Sequence, residues 1–132
     1  MPTEQTALQR IAEAKQQQFT ELYLCDCQLR KIPAELLELI WLQQLDLSLN
    51  NIQDLTPLTK LTQLTALNLN GNQISDLTPL ANLTQLTKLH LSENQISDLA
   101  PLANQIKGSA NKSRGQPMIY FIKRCQLNVS IN

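Results

Sequence analysis

The sequence predicts a single α/β solenoid domain over residues 1–132, and three observations carry that prediction. The first is repetition. NQISDL stands at 72–77 and again at 94–99, with the looser NNIQDL at 50–55. Around it, Leu42, Leu45, Leu47, Asn50, Ile52, Leu55 and Leu58 recur after 22 residues as Leu64, Leu67, Leu69, Asn72, Ile74, Leu77 and Leu80. After another 22 they recur as Leu86, Leu89, Leu91, Asn94, Ile96, Leu99 and Leu102. A fixed period of this size marks a chain wound into stacked coils, none of which buries its apolar side alone. The second observation is composition: leucine abounds, while aromatics supply 4% and glycine three residues. That excludes collagen-like and low-complexity chains and implies a repetitive aliphatic interior. The third is Pro57, Pro79 and Pro101, which share the spacing and restrict the backbone of each return path to short 3₁₀ or irregular turns.

In chain order, residues 6–18 read as a capping helix, with Thr6 and Gln9 in capping-box spacing and Leu8, Ile11, Ala12 and Phe19 on one face. Four coils follow over 19–103. The first holds Phe19, Leu22, Leu24, Cys27, Leu29 and Ile32, offset by 23 from the second. Each coil supplies one short strand centred on an L-x-L pair, whose leucines point in and whose x positions point out. The slot filled by Cys27, Asn50, Asn72 and Asn94 comes where the chain bends, and a side-chain amide there can pair with backbone groups of the bend and of the neighbouring coil. After Leu102 the period breaks, because Asn111 stands where the next strand leucine is due. The polar run at 104–117 reads as a loop. YFIKRCQL at 120–127 mirrors LYLCDCQL at 22–29, so 118–132 reads as an irregular fifth strand and C-terminal cap with Cys125 in the bend slot. The rival reading is a different tail whose alternating Cys125, Leu127, Val129 and Ile131 pack on the open edge.

The pattern L-x-x-L-x-L-x-x-N-x-I over 19–103 resembles the leucine-rich repeat, and its 22-residue length and prolines resemble the internalin-like bacterial subclass. The resemblance implies a short right-handed horseshoe with a parallel sheet on the concave face. ALQRIAEAKQQQFTELYL also resembles the lead-in helix and first strand of the leucine-rich repeats in bacterial Roco-type proteins, which would make this chain the recognition fragment of a larger GTPase. No nucleotide cradle is legible here. GSANKS at 108–113 has Asn111 before Lys112 where a P-loop needs glycine.

The net charge is zero but uneven. Up to Asp98, eleven acidic residues face six basic ones, leaving that part about five charges negative, whereas Lys107, Lys112, Arg114, Lys123 and Arg124 follow with no acid. Nothing reads as a signal peptide or membrane span. Three sparse cysteines fit free thiols in a reducing compartment, so a cytoplasmic protein with no membrane contact is expected. Five basic residues beside only Tyr120 and Phe121 suit nucleic acid poorly.

No catalytic or metal constellation emerges, and neither cofactor nor enzymatic activity is expected. Cys25 and Cys27 are two apart, but the first is expected to point outward while the second fills the bend slot, and His90 is the single histidine, which makes a poor zinc set. Cys125 has no His or Asp partner near it in sequence. Asp46 and His90 share a column but stand two strands apart, about 9 to 10 Å. What remains is surface. The expected concave columns are Glu21, Gln44, Ala66, Lys88; Tyr23, Asp46, Asn68, His90; Cys25, Ser48, Asn70, Ser92; and Asp26, Leu49, Gly71, Glu93, with Phe121, Lys123 and Arg124 extending the last three. The candidate binding residues are Tyr23, Gln44, Asp46, Ser48, Leu49, Asn68, Asn70, Lys88, His90, Ser92, Phe121, Lys123 and Arg124. The expected function is non-catalytic binding of a protein or peptide on this face. The alternative is homo-oligomerisation, the basic C-terminal edge of one copy meeting the acidic body of another.

Overall fold

The structure, a computed structural model, describes residues 2–102. Helix α1 (Glu4–Gln17) leads into four strands, β1 (Glu21–Tyr23), β2 (Gln44–Asp46), β3 (Ala66–Asn68) and β4 (Lys88–His90). The strands form one parallel sheet in sequence order. Register follows the repeat: Leu22 pairs with Leu45, Leu45 with Leu67 and Leu67 with Leu89. The ladder runs on past the strands toward the bend, through Leu47 N–H to Asn68 O at 2.9 Å and Leu49 N–H to Asn70 O at 2.8 Å. The 118–132 strand and the 104–117 loop lie outside the described residues.

Opposite the sheet, each coil returns through a 3₁₀ turn: Ala34–Glu38, Thr56–Lys60, Thr78–Leu80 and Ala100–Leu102. The aspartates of the repeated phrase start the last three. Asp54, Asp76 and Asp98 accept the N–H of Thr56, Thr78 and Ala100, each at 2.9 Å, and Pro57, Pro79 and Pro101 follow with no N–H to satisfy. Hydrogen bonds from the side chains of Thr56 and Thr78, and then from their backbone N–H groups, hold the carboxyls of Asp54 and Asp76 below the usual carboxylate range. Between sheet and turns lie stacked files of buried aliphatics, including Leu24, Leu47, Leu69 and Leu91, and Leu36, Leu58, Leu80 and Leu102. Each such side chain contributes roughly 1.5–3 kcal/mol by leaving water.

The capping helix departs from the sequence expectation. It starts at Glu4, with Thr3 as an N-cap that makes no side-chain bond, so Thr6 lies inside the helix and the Thr6–Gln9 capping box does not form its start. Its buried stripe is Ala7, Ile11 and Ala14, while Ala12 and Phe19 are exposed. The spacing of four and then three puts that stripe on one face, and the two alanines let the helix lie close on the first coil. Gln18 ends it in the left-handed conformation, and Phe19 N–H returns to Ala14 O at 3.0 Å. The chain is still leaving the helix there, which leaves Phe19 42% exposed instead of filling the core slot of Leu42, and its carbonyl accepts the Trp41 indole N–H at 2.9 Å. Arg10 reaches over the first strand, donating to Tyr23 O at 3.2 Å and toward Cys27 Sγ at 3.7 Å. A side chain of the cap thus serves a carbonyl of β1, which lies at the edge of the described sheet.

Candidate functional site

Among the described residues, the asparagines of the bend slot bond backbone groups. Asn50 Oδ1 accepts the N–H groups of Cys27 and Leu29 at 3.0 and 2.9 Å, while its Nδ2 faces Leu24 O, Leu47 O and Ser48 O at 3.1, 2.9 and 3.1 Å. Asn72 repeats this between Ile52 N–H and the carbonyls of Leu47 and Leu69, and Asn94 between Ile74 N–H and those of Leu69 and Leu91. Every asparagine therefore joins its own coil to the preceding one. Cys27 fills the slot in the first coil, where no coil precedes, and needs only a compact buried side chain; burial raises its thiol pKa, partly offset by the Arg10 guanidinium. Cys25 and Cys27 are free thiols, and among the described residues no group of three or more His, Cys, Asp and Glu is placed to hold a metal ion.

On the concave face the predicted columns are in register, Glu21, Gln44, Ala66, Lys88 and Tyr23, Asp46, Asn68, His90. The methyl group of Ala66 is the smallest side chain of these two columns, and beside it lies a shallow depression of about 220 Å³ lined by Tyr23, Gln44, Asp46, Asn68, Lys88 and His90. Six of the candidate residues are thus brought together. Ala66 was absent from the candidates, and its only sequence signal is its size among larger neighbours. Tyr23 is 54% exposed and donates its hydroxyl to Glu21 Oε1 at 2.7 Å. That bond, and then the carboxylate charge, raise the phenol pKa.

The third column behaves differently from its expected role as open surface. Ser48 is only 8% exposed, and it donates both its N–H, at 2.8 Å, and its hydroxyl, at 2.6 Å, to Asp46 Oδ1. Leu24 O, on the neighbouring coil, accepts from Asn50 Nδ2, and the Ser48 N–H bonds the Asp46 side chain of its own coil. One coil on, Asn70 N–H finds Asn68 Oδ1 at 3.0 Å, and Asn70 Oδ1 accepts Ser92 N–H at 2.7 Å. Asp46, Asn68 and Asn70 therefore support the strand ends as well as lining the face, and Ser48 is withdrawn from it.

The fourth column is a row of left-handed residues, Asp26, Leu49, Gly71 and Glu93, at φ 53°, 57°, 71° and 57°. Here the strand turns sharply into the bend. Leu49 is 57% exposed in a conformation that costs a bulky residue about 1–2 kcal/mol. Phe121, Lys123 and Arg124, with Cys125 of the bend slot, lie outside the described residues.

Fold and site together define a leucine-rich-repeat solenoid. The chain matches the family described as Leucine Rich repeats (2 copies) over residues 40–82 and 62–104. Among solved structures it is similar to an internalin (inlF) from Listeria monocytogenes, with 37% identity and a TM-score of 0.62 over 67% of this chain and 26% of that one. It is also similar to internalin C2 (inlC2) from the same organism, with 35% identity and a TM-score of 0.56 over 76% of this chain and 37% of that one. The chain thus spans between about a quarter and two fifths of the length of these proteins. Comparison with curated proteins gives no match. The chain belongs to the leucine-rich-repeat proteins, and its array is of the internalin-like type. The comparisons leave the Roco-type likeness of the N-terminal segment unconfirmed.

Proposed function

We propose that this chain is a non-catalytic module that binds a protein or peptide on the concave sheet face. Leucine-rich repeats generally serve protein–protein interaction. The observation that carries the choice of face is the depression beside Ala66, where two aligned columns present Tyr23, Gln44, Lys88 and His90 around a small floor on a rigid parallel sheet. Such a surface offers an aromatic anchor, polar groups of both signs and little mobility, the composition from which binding hot spots are built. Four strands at about 4.8 Å spacing make a narrow face, which suits a short segment better than a broad globular surface. A reducing cytoplasm fits its free thiols. Self-association of the basic C-terminal edge with the acidic body is the second reading, favoured by the charge asymmetry of the sequence.

The test is partner capture from source-cell lysate with wild type and a Tyr23→Ala, Gln44→Ala, Lys88→Ala triple variant. These three are chosen over Asp46 and Asn68, whose side chains hold backbone N–H groups and whose loss would confound binding with stability. A partner kept by wild type and lost by the folded variant supports the concave face. Binding indifferent to the variant sinks it, and a mass in light scattering that grows with concentration and falls with salt moves the reading to self-association.

A further inference from the structure

The charged side chains of the concave face are sorted along the array. Glu21 on β1 and Asp46 on β2 lie at one end of the two aligned columns, and Lys88 on β4 lies at the other, with Ala66 and Asn68 of β3 between them. Glu21 and Lys88 occupy the same column three strands apart, about 14 Å at ordinary strand spacing. That is beyond the reach of an ion pair and beyond the screening length of about 8 Å at physiological salt, so each end keeps its own field. Among the described residues the one ion pair is Lys15–Glu38, away from this face. Asp26 and Glu93 hold the same corner position in the first and fourth coils, five residues beyond Glu21 and Lys88, so each of these corners carries one acid. The charge order therefore belongs to the level of the strands, where Glu21 and Asp46 face Lys88 across β3.

We infer that the ligand of this face is an extended peptide lying across the strands, with a basic residue over Glu21 and Asp46, a small apolar residue in the depression at Ala66, and an acidic residue over Lys88. The inference rests on the concave-face reading and specifies its ligand. The spacing follows from two lengths. An extended chain advances about 3.3 Å per residue and shows residues i, i+2 and i+4 on one side, so i and i+4 stand about 13 Å apart. That matches the span from β1 to β4 and places residue i+2 near its middle. The depression of about 220 Å³ accommodates a valine-sized group. Charge order selects composition more than it adds affinity, because a peptide with two like charges meets attraction at one end and repulsion at the other.

The experiment is a set of amide-resolved NMR titrations with three capped pentapeptides, Lys-Ser-Val-Ser-Glu, Lys-Ser-Val-Ser-Lys and Glu-Ser-Val-Ser-Glu, against wild type and Lys88→Glu. Wild type is expected to prefer the mixed-charge peptide by about 1.5- to fivefold, the range that an exposed charge pair supplies, with shifts centred on Ala66, Asn68 and their neighbours. Lys88→Glu is expected to transfer the preference to the peptide with two lysines, a switch that loss of folding does not produce. If the Glu variant does not fold, Lys88→Gln is expected to bring the two lysine-bearing peptides to equal affinity. Equal shifts of the concave amides by all three peptides overturn the charge-order inference while the concave face stands as a binding surface. Concave amides that move with none of them also overturn it, and the face itself is then decided by the capture experiment.

Discussion

Leu49 Cδ2 lies 2.8 Å from the point where a Cβ on Gly71 would stand. The two residues occupy the same register position in neighbouring coils, both with positive φ, and Gly71 supplies the left-handed backbone without strain while leaving room for the leucine. Gly71→Ala adds both a contact and a strained residue, and is expected to cost about 1–3 kcal/mol. In Leu49→Ala the same glycine change is expected to cost only the backbone share, about 1 kcal/mol. Urea unfolding of the four proteins in a double-mutant cycle measures the difference, and an additive cycle would refute the contact.

The asparagines of the bend are not equivalent. Asn50 holds two N–H groups and is buried, while the bonds of Asn94 include one N–H and its side chain is half-buried. Asn50→Ala is therefore expected to destabilise more than Asn94→Ala, by about 1–3 kcal/mol, the cost of orphaning a further buried donor. Equal losses in denaturant midpoints would contradict this.

Acid stability depends on the phrase aspartates. Asp54 and Asp76 have folded pKa values lowered by hydrogen bonds from Thr56 and Thr78. A depressed carboxyl contributes stability above its unfolded pKa, near 4, and loses it as the pH falls through the lower folded value. Wild type is expected to weaken steadily below about pH 4, and an Asp54→Asn, Asp76→Asn variant to be less stable at neutral pH with a shallower decline in acid. Thermal unfolding across that range reads both slopes.

Tyr23 gives the opposite sign. The phenol donates to Glu21 and its pKa is raised, so the bond is present at neutral pH and is lost as the pH rises through the folded value, above about 10. Glu21→Gln is expected to return this phenol toward its ordinary range, visible as earlier growth of phenolate absorbance in an alkaline titration.

Trp41 is the single tryptophan and bonds the carbonyl that leaves the capping helix. Trp41→Phe is expected to cost about 1 kcal/mol through that hydrogen bond. In wild type, indole fluorescence should report the release of the helix from the first coil, and a signal unchanged on cutting before residue 19 would show otherwise.

The array was legible in the sequence because its signal is repeated: a constant spacing fixes which leucines share a file, and the file fixes which outward residues share a column. Single-copy features were harder. In the capping helix, Ala7 and Ala14 are too small to stand out beside Leu8, so a side-chain capping pattern at Thr6 and Gln9 suggested the wrong start. Alternation alone turned Ser48 outward, whereas the local bonds to Asp46 draw it in. The left-handed corner was hidden because Gly71 alone of its four members is a glycine, and a leucine gives no warning of positive φ.

The asparagine bonds join each coil only to its immediate neighbour, and this has a consequence for inheritance. An in-frame duplication of one coil's coding segment would bring its own fasteners and leave the existing ones matched, so the gene can lengthen or shorten the molecule without redesigning it. Each added coil would also move the acidic and basic ends of the concave face apart by one strand spacing, about 4.8 Å. The coil number then acts as the graduation of a ruler, and the distance between the two charged ends becomes a quantity that simple copying of DNA can adjust.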